Sequence, residues 1–327
     1  MVITYERVFL EGISVMCIMK KKGVIKMDIR VLRYFLTVAR EGSITAAANF
    51  LHVTQPTLSK QLKKLEEELG KKLFVRSNHN VQLTHEGCLL RKRAEDIVDM
   101  FDKTTAEFRT MDDLAISGDI YIGAAETSVM TYFAKVAKDI QSRCHNIYYH
   151  LYSGNSDDVT ERLDRGLIDL GVVVEPVDVS KYNYIMLPYK NIWGVIMRKD
   201  SSLASKDTIK VNDLLNVPLI CSRQVIKQSL SKNEVSDWFG EEFDKLHIVT
   251  TFNLIFNAAM MVKEGFGYAI GFDDLVDTGI ESELCFRPLE PQLESGIYII
   301  WKKSQVFSQP AELFLEEIQE RYYNNKN

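Results

Sequence analysis

Residues 54–70 read TQPTLSKQLKKLEEELG. Leu58, Leu62, Leu65 and Leu69 recur at spacings of four, three and four, which makes one narrow apolar stripe on an α-helix. At about 100° per residue, Pro56, Lys60 and Lys63 fall opposite that stripe, and Gln55 and Ser59 flank it. The helix packs by its leucines and turns a polar face outward. Such faces are most often merely solvated, so the neighbouring residues must decide whether this one docks.

Upstream, IRVLRYFLTVAREGS (29–43) places Leu32, Phe35, Leu36 and Ala39 on one face and stops at Gly42. Ser43 then caps ITAAANFL, whose Ala46, Ala47 and Ala48 let another helix approach closely. After a short turn, HVT, Thr54 is expected to cap the leucine-striped helix, with Pro56 in its first turn. A short alanine-packed helix, a tight turn and a helix opening on small hydrogen-bonding residues is the helix-turn-helix layout. Its second helix enters the major groove of DNA. KKLFVRSNHNVQLTHEG (71–87) adds two short strands around a polar tip, Ser77–Asn80, which makes a wing.

On these residues the chain resembles the LysR-type transcriptional regulators. The match runs through FLTVAREGSITAAANFLHVTQPTLSKQLKKLEEELGKKLFVR and the closing LTHEG, and covers residues 27–87. The resemblance implies that Ser43, Thr54, Gln55, Pro56, Thr57, Ser59 and Lys60 belong to the DNA-binding set, with Gln55 and Thr57 as readers of base edges. Lys63, Lys64, Lys72 and Arg76 would hold phosphates, which position the protein without reading sequence. At the wing tip, where many relatives carry arginine, this chain has Asn78 and His79, so a weaker minor-groove contact is expected there.

The overall charge hides this polarity. The 327 residues carry a formal net charge of −5. Up to Arg93 there are 17 Lys/Arg against 8 Asp/Glu, and beyond it 23 against 37, so a head of +9 precedes a body of −14. A basic head points to a polyanion partner. The five cysteines are scattered, without a CxxC or a Cys/His grouping at zinc spacing, and no cofactor is expected. VFLEGISVMCIM near the start is too short to span a bilayer, and its basic run follows it instead of preceding it. Residues 1–26 are read as an extension, disordered or ahead of a natural start at Met27. The protein is expected in the cytoplasm, with no membrane partner.

From Gly87 to Ser117 the chain lacks Pro and Gly. Leu90, Ala94, Ile97, Phe101, Thr104 and Phe108, continued by Met111, alternate spacings of four and three. This is the seam of a pairing helix, and residues 88–117 are expected to join two copies into a homodimer, with a homotetramer as the family's further step. Two heads on one dimer imply a two-part, roughly palindromic site on double-stranded DNA.

After Gly118, strand-like and helix-like stretches alternate, which predicts a parallel sheet covered by helices. DIYIGAA, NIYYHLYSG and LIDLGVVVE alternate with SVMTYFAKVAKDIQSR and SDDVTERLDRG. A second round begins at NIWGVIMRK and includes VPLICSR, a helix from Val225 to Trp238, KLHIVTTF, NLIFNAAMMVKEG and FGYAIGF. IYIIWKK and AELFLEEIQERYY close the chain. The expected class is therefore α/β. A winged helix-turn-helix and a long linker helix precede an effector domain (118–327) resembling the periplasmic-binding-protein fold, with two Rossmann-like subdomains, one of about 118–188 with 292–327 and the other of about 189–291.

In such sheets ligands sit beyond the strand carboxyl ends, near helix N-termini. The expected effector site comprises Glu126, Thr127, Ser128, Ser153, Asn155, Cys221, Ser222, Arg223, Phe252, Asn253 and Phe272. Simple helix capping would account for Ser156 and Ser128. Arg223 and the helix ends favour an anionic effector, and Glu126 opposes it. RNA polymerase is a further candidate partner. Three rivals remain. One is a redox-sensing regulator using Cys221; another is an enzyme, for which no GxSxG, Walker or metal motif is present. The third, an architectural DNA protein, has no need of a two-lobed acidic body.

Overall fold

The computed structural model describes residues 27–76, 81–110, 116–223, 226 and 234–324. Residues 1–26, the wing tip with Asn78 and His79, the Arg76 side chain, Met111 and Val225 lie outside the described residues. The chain divides into two compact units, one ending at Val98 and the other starting at Asp99.

In the first unit, α1 (Ile29–Glu41) begins at Asp28, whose carboxylate accepts from the Arg30 N–H at 2.8 Å. It ends at Gly42, in the left-handed region that glycine takes without strain. Its buried face is centred on Val31, Leu32, Phe35 and Val38, while Leu36 and Ala39 sit at the margin. Ser43 caps α2 (Ile44–Phe50) by accepting from the Ala46 N–H. The turn uses His52 at positive φ and returns the Val53 N–H to the Ala48 carbonyl. Then α3 (Gln55–Leu69) buries Leu58, Leu62 and Leu65, and leaves Leu69 half-buried. Strands β1 (Phe74–Arg76) and β2 (Val81–Leu83) pair antiparallel as the wing.

Helix α4 runs from His85 to Thr110. Thr84 starts it: its hydroxyl accepts from the Gly87 N–H at 2.9 Å and donates to the Lys72 carbonyl at 2.7 Å. A side chain at Gly87 would bring its Cβ within 2.2 Å of the Leu73 carbonyl oxygen, so the LTHEG turn needs glycine there.

The second unit holds a nine-stranded sheet. Strand β3 (Gly118–Ala124) lies parallel to β4 (Ile147–Ser153) and β5 (Leu170–Val174); α5 (Met130–Gln141) and α6 (Ser156–Asp164) are the crossovers. Strand β6 (Tyr182–Arg198) spans 17 residues. After it come the short α7 (Val211–Leu214), β7 (Leu219–Ser222), α8 (Glu234–Phe239), β8 (Ile248–Phe252), α9 (Ile255–Lys263), β9 (Tyr268–Phe272) and β10 (Leu284–Pro288). The chain closes with β11 (Glu294–Lys302) and α10 (Gln309–Asn324).

The expected parallel sheet is present in each lobe, where β3 runs parallel to β4 and β5 and β7 to β8 and β9, but β6 and β11 pair antiparallel with their neighbours. The cause is the length of β6. Up to Ile192 it pairs with β11, and from Trp193 onward with β9 and β10. One strand thus belongs to two lobes, each with its own apolar core.

Candidate nucleic-acid interface and interlobe cleft

On α3 the buried leucines leave Thr54, Gln55, Pro56, Thr57, Lys60, Lys63 and Lys64 exposed, with Ser59 half-buried. Thr54 does not cap by its side chain. It sits at the capping position with extended backbone, and its hydroxyl meets that of Thr57 at 2.8 Å. Lys63 and Lys64 pair loosely with Glu67 and Glu68 one turn on, at 3.8 and 3.7 Å, exposed contacts that a phosphate can replace at little cost. Lys72 is committed instead. Its ammonium lies 3.0 Å from the carboxylate of buried Glu66, which also accepts the N–H groups of Leu73 at 2.8 Å and Phe74 at 3.3 Å. Burial works against ionisation of Glu66, but these three donors outweigh it and hold its carboxyl below the ordinary value. The periodicity gave no sign of Glu66, because a buried carboxylate on a charged helix looks like any other.

In the second unit a cleft opens where β6 changes partners. It is lined by Glu126, Asn155, Ser222, Phe252, Asn253 and Phe272, all expected, and also by Ser156, Glu175, Trp193, Ile255 and Leu275. It encloses about 60 Å³. No Lys, Arg or His is among the described residues lining it.

Five expected residues lie elsewhere. Thr127 is buried and donates to the Asn191 side-chain oxygen at 3.0 Å. Ser128 is exposed and borders a separate groove with Tyr132, Lys135 and Tyr189. Ser153 faces solvent at the end of β4, and Gly154 takes its place in the cleft. Arg223 is exposed and does not line the cleft, which removes the main ground for an anionic effector. Cys221 is buried and does not line the cleft.

The cap of α6 is Asn155, not Ser156: its side chain accepts from the Asp158 N–H at 3.0 Å, and the Asp158 carboxylate accepts from the Asn155 N–H. Ser156 instead ties down the end of β5, donating to the Val174 carbonyl and accepting from its N–H. At the partner change, the Trp193 indole donates to Ser295 at 2.9 Å, and Asp273 accepts from the Ile192 N–H at 2.9 Å. Across the cleft, the Glu126 carboxylate accepts from the Ile255 N–H, the first of α9, at 2.6 Å. Burial nevertheless raises its carboxyl above the ordinary value.

Residues 29–88 match the bacterial regulatory helix-turn-helix protein, lysR family, and residues 115–322 match the LysR substrate binding domain. The chain belongs to the LysR family. It is a transcriptional regulator with a DNA-binding helix-turn-helix head and an effector-binding domain. The HTH-type transcriptional regulator BsdA of Bacillus subtilis (strain 168) is 29% identical over 297 residues, covering 89% of this chain and 99% of its own. The Hca operon transcriptional activator HcaR of Escherichia coli (strain K12) is 28% identical over 299 residues, 90% of this chain and 98% of its own. The crystal structure of full-length CbnR complexed with its target DNA shares the fold, with a TM-score of 0.67 at 19% identity over 90% of this chain and 99% of that one.

For a LysR-family chain the redox alternative rests on Cys221, and the structure argues against it. The thiol is 2% exposed, and burial pushes its pKa up to about 12, the wrong direction for a reactive thiolate. The linker seam is corrected in part. Ala94 is fully buried and Leu90 half-buried in the core of the head, whereas Ile97, Phe101, Thr104 and Phe108 are exposed. Leu89, unremarked in the heptad reading, is exposed as well. Among the described residues no helix is long and apolar enough to cross a membrane.

Proposed function

We propose that this LysR-family regulator reads a two-part DNA site through the N-terminal turns of α3, as a cytoplasmic homodimer whose DNA affinity or spacing responds to a small molecule held between the lobes. The observation that carries the reading is the division of labour on α3. Its leucines are consumed by packing while Gln55, Thr57, Lys60 and Lys63 face outward. Gln55 and Thr57 take the base-edge role beside Lys60 in the major groove, and Lys63 and Lys64 the phosphate role. The domains divide as head, linker helix and two-lobed effector domain, with the lobes exchanging where β6 changes partners. Ile97, Phe101, Thr104 and Phe108 form the pairing seam, spaced by four, three and four residues along one face of α4.

Binding, not catalysis, suits the cleft, because Glu126, Asn155, Ser156 and Glu175 are engaged at helix starts and strand ends. A ligand acts only through its different affinity for two arrangements of the lobes. The test is a footprint on a selected DNA site with and without fractionated small-molecule extract. A fraction that shifts the protected boundaries is expected. A footprint indifferent to every fraction would contradict control by a small molecule.

A further inference from the structure

The cleft carries a device that bears on what it holds. Helix α9 has nine residues, Leu254 caps it without a side-chain hydrogen bond, and its first turn contains no acidic residue. Its N-terminus, with unpaired N–H groups and the positive end of the helix dipole, is the natural seat for an anion. That seat is taken by this chain's own carboxylate. Glu126, from the loop after β3 in the other lobe, lies 2.6 Å from the Ile255 N–H.

A second carboxylate lines the same cleft. Glu175 is held by the Gly296 N–H at 2.6 Å and the Tyr298 hydroxyl at 2.5 Å, so it is fixed in place. Three aromatic rings complete the lining: Trp193, Phe272 with its centroid 4.3 Å from that of Trp193, and Phe252. An incoming carboxylate would have to expel Glu126 from α9 and then share the cleft with two like charges. An ammonium displaces nothing. A carboxylate accepts about four hydrogen bonds, so both glutamates retain lone pairs beyond those used here, and ring faces attract cations.

Resting on the reading of the cleft as the effector site, we infer that the effector is a small organic cation, an amine bound between Glu126, Glu175 and the aromatic rings. By contacting a residue from each side of the Glu126–Ile255 bridge, it would hold the lobes together.

The experiment uses the full-length chain, with binding read by melting temperature and tryptophan fluorescence. The probes are ammonium ions from methylammonium to phenethylammonium and the short alkane diamines, each beside its isosteric carboxylate and alcohol. At least one ammonium is expected to bind ten-fold or more tightly than both isosteres. Glu126→Gln should weaken it at least ten-fold without lowering the melting temperature of the free protein at neutral pH, since the amide oxygen still accepts from Ile255. Phe252→Leu, which removes a ring and keeps both carboxylates in the chain, should weaken the cation several-fold and leave the alcohol unchanged. Tighter binding of a carboxylate, indifference to both substitutions, or no ammonium binding at all would overturn the cation. A carboxylate that binds and shifts the footprint leaves the regulatory reading intact. An ammonium that binds without shifting it upholds the cation and overturns regulation through this cleft.

Discussion

Gln55 and Lys63 stand on the same exposed face but are assigned opposite tasks, and mutation separates them. Gln55→Ala should relax base preference at one position by about 1–3 kcal/mol. Lys63→Ala should weaken binding to all sequences alike and lower the salt slope by about one unit, because each phosphate contact contributes roughly 0.9. Binding to a panel of single-base variants at several salt concentrations checks both, and identical behaviour would refute the sorting. Glu66 makes a different prediction. Its carboxyl lies below the ordinary 4.5 in the folded head, so the stability it contributes is present above that pH and is lost as pH falls through the folded value. The gap in melting temperature between wild type and Glu66→Gln should be widest near neutrality and close below about pH 4.5. A constant gap would mean the charge is irrelevant. Helical periodicity told which residues of α3 face inward as leucines, yet it could not show that Glu66, Asn155 and Glu126 turn to backbone N–H groups. Glu126 and its partner Ile255 are 129 positions apart, beyond any local pattern.

At the scale of elements, a buried ion pair anchors the end of α4 within the second unit. The Lys103 ammonium lies 2.6 Å from the Asp169 carboxylate, both nearly fully buried, and it also donates to the Gly166 carbonyl at 3.2 Å. Asp169 in turn accepts from the Tyr121 N–H at 2.9 Å, tying helix, β3 and the start of β5 together. Lys103→Met strands a buried carboxylate and should cost about 3–5 kcal/mol, with the double variant Lys103→Met, Asp169→Asn recovering part of the loss. Chemical denaturation measures both, and an unchanged single variant would show that solvent reaches the site. In sequence this lysine looked like one more charge beside an apolar seam. The elements themselves were largely legible, since caps, glycine stops and alternation mark most of them. Strand β10 and the first half of β6 escaped, because YNYIMLPYK mixes exposed and buried residues without strict alternation, and a strand shared by two lobes obeys two different surroundings in turn.

For the whole molecule, the basic head and acidic body predict a protein that engages DNA through its head, and the exposed seam on α4 predicts that it does so in pairs. Phe101 and Phe108 are 46% and 66% exposed, which is unusual for phenylalanine without a partner. Replacing both by lysine should shift the protein from dimer to monomer in sedimentation velocity and abolish preference for a two-part site over a half-site. A dimer that survives would move the interface elsewhere. The measurement that tests the central claim most directly is selection of bound sequences from random duplex DNA by the purified full-length protein. The account predicts a split, near-palindromic motif whose arms depend on Gln55. Recovery of no motif, with binding that merely collapses as salt rises, would contradict it and leave a basic head without a sequence to read.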